Sequence, residues 1–319
     1  MKRRMILTAA AVAAFAFAVQ GQIPKGLSDY LIAYNVAVDT EKDDYDVWVM
    51  NPDGTGKKNI TNHPDVAWTY YADGGDLYFI SDRGKPKRNY YLFKSNAKGE
   101  DPVQVSDLRL EDSWMSSRNG GAEMVVTGRI GDEVRYQLFI IDLKTGKYRR
   151  LTDENGAAHR DPLFSPDGKQ IVFVYKKERA NREEYEDLWI MDADGSNRRR
   201  LTTYPKDDKT SEWHSYHAGP PKWAHGRDFI TYQSFQKGKS SLYAVTPDGK
   251  KQWKLTDNEL FEGWHDWSPD GKWLAVEMYD KDNTEFGIYL MNFDTKEVRK
   301  LTDPKDFKYQ QAPVFVRKL

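Results

Sequence analysis

The chain contains no cysteine in its 319 residues. Disulfide bonds, thiolate metal ligands and cysteine nucleophiles are therefore excluded. A strong charge of one sign is also absent, because 48 lysines and arginines are balanced by 49 aspartates and glutamates. Nucleic-acid-binding proteins typically carry a basic face that shifts this balance, so the sequence predicts no nucleic-acid partner.

Long apolar runs are missing as well, and the most extended one lies near the N-terminus. Residues 6–19 carry no charge and follow the basic residues Lys2, Arg3 and Arg4. This stretch is shorter than the roughly 20 residues that a transmembrane helix needs. A basic start, a short apolar run and small residues before a polar stretch are typical of a secretory signal peptide. The sequence therefore predicts a signal peptide at residues 1–21, a single domain over 22–319, and a periplasmic or secreted protein without a transmembrane segment.

The rest of the chain repeats one pattern, which is clearest at residues 162–202. Two apolar runs meet there at a Pro166–Lys169 turn, a third run covers Asp187–Met191, and a turn at Asp192–Gly195 leads to a fourth run that ends at Thr202. The repeat length is roughly 45 to 55 residues. Corresponding run ends occur at Thr61, Ser106, Thr152, Thr202, Thr256 and Thr302.

Four short runs with glycine turns in each repeat, and no long helical pattern, indicate the blades of a β-propeller. The last first-strand candidate, Ala312–Val316, has no strands after it, whereas the strand candidates at 30–36, 47–50 and 57–61 lack an inner strand before them. We predict an all-β, six-bladed propeller with four-stranded antiparallel blades. A blade shared between the N- and C-termini closes the ring, with the C-terminal strand innermost, which leaves no open sheet edge.

The motifs FSPDGK, DLWIMDADGSN and the terminal Leu-Thr, with the copies WSPDGKWLAV and VWVMNPDGTGKKNIT, resemble the TolB-type six-bladed propeller repeat. The resemblance covers nearly all of the predicted mature chain, but not the separate N-terminal α/β domain of TolB. It implies a periplasmic or secreted protein that binds an envelope protein, a peptide or a glycan. The same scaffold carries binding proteins and enzymes, so the resemblance alone does not assign an activity.

The two faces of a propeller differ in the connections they carry, and this difference identifies candidate ligand-binding residues. The fourth-to-first and second-to-third connections open at the mouth of the central channel, and five of the six histidines precede a first strand. Imidazoles and amides there offer polar contacts, indole rings offer flat faces to a sugar or peptide, and arginines grip anions. The predicted ligand-binding residues are His159, Arg160, His214, His217, His265, Gln310, Trp213, Trp264, Arg83 and Arg129.

Two functions remain open on the sequence. The preferred one is a non-catalytic binding module for a protein, peptide or glycan, without a cofactor, because no Gly-x-Ser-x-Gly elbow or other catalytic motif occurs. The alternative is a lyase resembling the oligogalacturonate lyases, acting on an anionic sugar with a divalent transition metal held by His and Gln side chains. Residues of the right type are present, but their order differs from that family, so no catalytic or metal-ligand roles are assigned.

Overall fold

The computed structural model describes residues 21–319, so the signal peptide predicted at 1–21 falls almost wholly outside the described residues. The described part is built from 25 β-strands in six antiparallel sheets. The sheets are the six blades of a propeller, which confirms the predicted all-β fold.

The strands of each blade follow the chain, except in the blade that closes the ring. Blade 1 contains β1 (Tyr30–Asp39), β2 (Asp44–Met50), β3 (Lys58–Asn59) and β25 (Gln310–Arg317). Blade 2 contains β4 (Ala67–Asp73), β5 (Asp76–Ser81), β6 (Tyr91–Asn96) and β7 (Val103–Gln104). Blade 3 contains β8 (Arg109–Leu110), β9 (Ser116–Arg118), β10 (Glu123–Ile130), β11 (Val134–Asp142) and β12 (Tyr148–Arg150).

The second half of the ring is more regular. Blade 4 contains β13 (Ala158–Phe164), β14 (Gln170–Lys176), β15 (Asp187–Asp192) and β16 (Arg199–Arg200). Blade 5 contains β17 (Lys222–Trp223), β18 (Ile230–Gln236), β19 (Lys239–Val245) and β20 (Gln252–Lys254). Blade 6 contains β21 (Phe261–Trp267), β22 (Trp273–Tyr279), β23 (Phe286–Asn292) and β24 (Val298–Lys300).

The closing blade has the order β25-β1-β2-β3, so the C-terminal strand is innermost, as predicted. Blade 6 also binds β25 through two carboxylates. Asp266 Oδ2 accepts a hydrogen bond from the Phe315 N–H at 2.9 Å, and Glu277 Oε2 accepts one from the Ala312 N–H at 3.0 Å. The last strand is therefore held by both its own blade and its neighbour.

The apolar core lies between the blades. One cluster joins blades 1 and 6 through Ile32, Tyr34 and Leu290, and another joins blades 3 and 4 through Phe173 and Leu138. Each such side chain contributes roughly 1.5–3 kcal/mol when it is fully buried. Burial between blades leaves the residues around the channel free to carry polar groups.

The Ser-Pro-Asp-Gly-Lys segments form tight hairpin turns. In the first of them Asp167 Oδ1 accepts hydrogen bonds from the Ser165 hydroxyl at 2.6 Å and the Lys169 N–H at 3.1 Å, and Gly168 has a φ of +70°. Glycine adopts this left-handed conformation without steric cost. These contacts agree with the interpretation of the motif as a turn.

The inner strands carry irregularities at corresponding points. Asp161 in β13 and Ala312 in β25 both have a φ of +52° beside a register shift. In blade 3 the inner strand is split, since β8 and β9 both pair with β10 and residues 111–115 lie between them. Bulges of this kind turn side chains in new directions.

Candidate functional site

Three aromatic side chains from three blades meet across the channel. The ring centroid of Tyr70 in blade 2 lies 5.1 Å from that of Trp114 in blade 3. Trp264 in blade 6 lies 6.2 Å from Tyr70 and 6.3 Å from Trp114. Lys222 Nζ adds a cation 4.2 Å from the Trp114 centroid and 3.0 Å from Asp266 Oδ1. Tyr70, Trp114 and Trp264 are together called the aromatic plug.

A cavity of about 660 Å³, here called the channel-mouth cavity, lies between blades 5 and 6 on one side of the plug. Fourth-to-first and second-to-third connections form its rim, as expected for the ligand face. Its aromatic lining comprises Tyr216, Phe235, Phe261, Trp264, Tyr279 and Phe286. Its polar lining includes Gln233, Ser240, Glu277 and Gln311. A concave, largely aromatic surface with a few polar groups is typical of a small-ligand site.

Glu277 has a buried carboxyl group in this cavity, and the residue is only 4% exposed. It lies on β22 opposite the irregular part of β21, at the position that Asn35 occupies in blade 1 and Val174 in blade 4. Gly263 leaves room for it, since a Cβ on that glycine would lie 2.6 Å from Glu277 Oε1. Burial raises the pKa of Glu277 to about 8, and the hydrogen bond from the Ala312 N–H acts in the opposite direction.

A second cavity of about 650 Å³, here called the basic cavity, adjoins the first. Arg160 forms an ion pair with Glu186 there. The Arg182 guanidinium lies 4.5 Å from the ring centroid of Trp213. The cationic side chains that line the basic cavity are Arg160, Lys176, Arg179 and Arg182. Residues 214–216 line both cavities, so a single ligand can contact both.

Asp112 is a second perturbed carboxyl group close to the channel axis. The Tyr70 hydroxyl donates a hydrogen bond to Asp112 Oδ1 at 2.6 Å. Desolvation raises the pKa of Asp112 to about 6, against the opposing effect of the Tyr70 hydrogen bond.

Four of the ten predicted site residues line these cavities. Trp264 lies in the channel-mouth cavity, Arg160 and Trp213 lie in the basic cavity, and His214 contacts both. Trp213 is 59% exposed and His214 is exposed as well, so both side chains are accessible to a ligand. The structure therefore brings together the indole, imidazole and guanidinium groups that the sequence placed on the ligand face.

Two of the predicted histidines pack against aromatic rings. His159 is fully buried, 5.6 Å from the Phe173 ring centroid, and burial lowers its pKa to about 4. His217 is also buried, with ring centroids 4.6 Å from Tyr185 and 4.7 Å from Tyr204, and burial lowers its pKa. Both side chains are thus neutral parts of the packing, and neither lines the two cavities described above.

His265 and Gln310 occupy internal positions too. The Nε2 atom of His265 lies 2.7 Å from Thr231 Oγ1, and burial, with the nearby Lys222 charge, lowers the pKa of His265 to about 3. The Gln310 amide donates hydrogen bonds to the carbonyl groups of Asp303 and Phe307, both at 2.9 Å. These contacts anchor strand ends, and the neighbouring Gln311 reaches the channel-mouth cavity instead.

The remaining two predicted residues are engaged in ion pairs away from the cavities. Arg83 Nε donates to Asp65 Oδ2 at 3.1 Å. Arg129 is buried, pairs with Asp132 and lies 3.9 Å from Glu111 Oε1. Their charges are therefore already balanced within blades 2 and 3.

The predicted histidines are not brought together as a metal-binding group. Among residues 21–319, no three His, Cys, Asp or Glu side chains are placed to hold a metal ion. Within that same range, no helix is long and apolar enough to cross a membrane.

The sequence interpretation did not identify Glu277 or Gln311 as site residues. A signal for Glu277 is present, because it is the only charged residue in the run WLAVEMY at 273–279 and Gly263 lies on the preceding strand. A charged residue inside a buried strand is rare unless it has a partner or a function. Gln311 carries no comparable signal, because its direction depends on the β25 bulge.

Comparisons with known proteins agree with this architecture. The family model described as TolB beta propeller domain matches residues 33–217. An oligogalacturonide lyase of Pectobacterium atrosepticum is 26% identical over 157 residues, which cover 40% of this chain and 39% of that protein. The Tol-Pal system protein TolB of Francisella tularensis subsp. mediasiatica is 27% identical over 82 residues, covering 26% of this chain and 19% of that protein. The chain thus matches less than half the length of either curated relative.

Solved structures share the fold at low identity. TolB from Acinetobacter baumannii superposes with a TM-score of 0.69 and 16% identity, covering 92% of this chain and 68% of that one. An oligogalacturonate lyase in complex with manganese gives a TM-score of 0.55 and 15% identity, covering 81% of this chain and 71% of that one. At such identities the likeness supports the propeller fold alone. The family model covers more than half of the sequence, and the chain belongs to the TolB beta propeller domain family.

Proposed function

We propose that this chain is a periplasmic or secreted binding propeller that holds a glycan in the channel-mouth cavity. The observation that carries the proposal is the combination of an aromatic wall and a polar base in one cavity of about 660 Å³. The signal-peptide pattern at residues 1–21 and the likeness to a Tol-Pal system protein support the location. An envelope protein or a peptide as ligand is an outcome that the experiment below distinguishes.

The aromatic wall suits the apolar faces of sugar rings. Tyr279 stacks on Phe286 with ring centroids 4.8 Å apart, and Phe261 lies 5.7 Å from Tyr279. Trp264 in blade 6 and Tyr216 in the connection into blade 5 meet edge to face, with ring centroids 6.2 Å apart. Such rings bury a large area with little loss of side-chain freedom, while their edges and hydroxyl groups remain available for hydrogen bonds.

The polar base suits sugar hydroxyl groups. Gln233 and Gln311 each offer an amide with both donor and acceptor atoms, and Glu277 offers a carboxyl group. Gln233 is buried, and its Oε1 atom has no hydrogen-bond partner within residues 21–319. A few polar groups around an aromatic surface fix ligand orientation in small-molecule sites.

The aromatic plug supports binding of a chain end or side branch. The ring centroids of Tyr70, Trp114 and Trp264 lie 5.1 to 6.3 Å apart, which leaves no room for a sugar chain to pass between these rings. The ligand therefore enters and leaves through the same mouth.

The basic cavity favours a second candidate, a lyase for an anionic sugar. Lys176, Arg179 and Arg182 supply positive charge next to Arg160, and the likeness to an oligogalacturonide lyase supports the same idea. This candidate requires a metal or another electrophile that stabilises the developing charge. Stoichiometric metal in the purified protein, with unsaturated products from oligogalacturonides, is the result that selects it over the binding module.

A parallel glycan and peptide array tests the proposed function, followed by calorimetric titration of the strongest hit. Trp264→Ala is expected to weaken glycan binding at least about tenfold, since an aromatic contact and its buried area are worth about 1.4 kcal/mol or more. Trp253→Ala, a change of the same size on the outer strand β20, is the matched control and should bind normally.

Because Trp264 also belongs to the plug, Gln311→Ala provides a second variant that leaves the plug intact. It should lose affinity without a change in melting temperature. The proposal is contradicted if the array yields peptides and no glycans. It is also contradicted if neither Trp264→Ala nor Gln311→Ala changes the affinity for the glycan.

A further inference from the structure

We propose that Glu277 meets the ligand as a neutral carboxylic acid and donates a hydrogen bond to an uncharged oxygen of the glycan. The inference rests on the proposed function of the channel-mouth cavity. The ligand atom that accepts this hydrogen bond is a hydroxyl, ether or amide oxygen.

The two oxygens of Glu277 have different surroundings. Oε2 accepts the Ala312 N–H at 3.0 Å, which occupies it with a backbone donor from blade 1. Oε1 packs against Gly263, in the space that a Cβ there would occupy, and it has no hydrogen-bond partner within residues 21–319. Because Glu277 lines the channel-mouth cavity and Oε1 is not among the fully buried unpartnered atoms of that range, Oε1 is the oxygen left for a ligand.

No cation balances a negative charge on Glu277. Within residues 21–319, no lysine, arginine or histidine nitrogen forms an ion pair with it, and its pKa responds only to burial and to the Ala312 N–H. From β21, the buried Glu262 is bonded to Thr256 and Asn258. β25 presents uncharged Gln311 and Ala312. The other titratable groups around the cavity are Glu212, His214, Tyr216, Tyr279 and Lys281.

These surroundings favour the protonated form at neutral pH. Burial raises the pKa of Glu277 to about 8, because an ionised carboxylate without a partner is poorly stabilised away from water. A protonated carboxyl group has an O–H donor, whereas the ionised group only accepts. Ionisation therefore removes the donor and places a negative charge against the ligand oxygen.

The protonation state can be measured without a ligand. Carbon-13 NMR of protein labelled at the glutamate carboxyl carbons, titrated from about pH 5 to about pH 10, should show one resonance with a midpoint near 8. That resonance should be missing in Glu277→Gln. A Glu277 resonance that titrates in the ordinary range of about 4 to 5 overturns the inference and leaves the proposed function untouched.

Binding of the strongest neutral glycan from the array gives the second test. Between about pH 6.5 and about pH 9.5, wild-type affinity should fall by about thirtyfold, in proportion to the protonated fraction of a group with a pKa near 8. Glu277→Gln keeps a hydrogen-bond donor and an acceptor in a side chain of the same shape. Its affinity for the glycan should therefore be nearly the same at the two pH values.

Glu262→Gln is the matched control, because it neutralises another buried carboxyl group of blade 6 that does not line the cavity. It should retain the pH dependence of the wild type, with folding checked by thermal melting at both pH values. A wild type without pH dependence, or a Glu277→Gln variant that still loses affinity at high pH, overturns the inference. Failure of the glycan to bind at all contradicts the proposed function instead.

Discussion

Gly263 and Glu277 face each other across the first two strands of blade 6, and a Cβ on Gly263 would lie 2.6 Å from Glu277 Oε1. The corresponding second-strand residue is Val174 in blade 4 and Asn35 in blade 1, because these residues pair with Leu188 and Val47 as Glu277 pairs with Ile288. Blade 6 thus has an ionisable carboxyl group beside a glycine where blade 4 has an apolar side chain. Glu277 forms part of the lining of the channel-mouth cavity.

Gly263→Ala should displace the Glu277 side chain and reduce the cavity. We expect a loss of about 1–3 kcal/mol in the free energy of unfolding, typical of overpacking, and weaker glycan binding. Gly287→Ala on β23 is the matched control, because its added Cβ meets neighbours only at 3.4 Å. Chemical denaturation and calorimetry measure both effects. Equal behaviour of the two variants would contradict the assigned role of Gly263.

Glu277 should make the fold less stable at high pH. Its pKa is about 8 in the folded protein and near 4.5 in the unfolded chain, so the folded state binds the proton more tightly. The contribution to stability is complete below about pH 4.5 and is lost as the pH rises towards 8. Between about pH 5 and about pH 9, the free energy of unfolding of the wild type should therefore fall, relative to that of Glu277→Gln, by on the order of 3–5 kcal/mol. Denaturant titrations that give the same difference at both pH values would refute this linkage.

Removal of the C-terminal strand should unfold the ring cooperatively. Deletion of residues 310–319 strips blade 1 of β25 and leaves Asp266 and Glu277 without the Phe315 and Ala312 N–H groups. Scanning calorimetry should show a single transition at a much lower melting temperature, or no transition. Removing Leu319 alone, which is 70% exposed, is the control and should change little. An unchanged melting temperature in the longer deletion would contradict closure by the shared blade.

The placement of the histidines predicts that binding does not depend on a transition metal. His217 is enclosed by Tyr185 and Tyr204, and His214 is exposed on the wall between the two cavities. Elemental analysis should find no stoichiometric transition metal, and treatment with a chelator should leave glycan affinity unchanged. Metal at one equivalent that disappears in the His214→Ala plus His217→Ala variant would instead favour the lyase candidate.

The fold could be predicted from the sequence because it depends on a pattern that repeats. Alternating apolar runs and the turn at Pro166–Lys169 specify strands and hairpins locally, and six copies specify a ring. Even the shared blade could be predicted, because no strand candidates follow Ala312–Val316 and the blade that begins at Tyr30 lacks an inner strand of its own.

The site was harder to predict from the sequence than the fold, because its residues come from connections and bulges of different blades. The sequence placed His159 in the connection before an inner strand, whereas His159 lies within β13, and its side chain packs against the aromatic ring of Phe173. Gln311 reaches the cavity and Gln310 does not, a difference of one residue that the bulge at Ala312 determines. Glu277 could have been identified as well, because it is a charged residue within an otherwise apolar strand.

A crystal structure with the strongest array glycan tests the central claim most directly. The account predicts a sugar ring against Trp264 in the channel-mouth cavity, with a ligand oxygen within hydrogen-bond distance of Glu277 Oε1. Ligand density at the opposite mouth, in the cavity of about 710 Å³ beside Trp223 and Asp266, with the channel-mouth cavity empty, would contradict it.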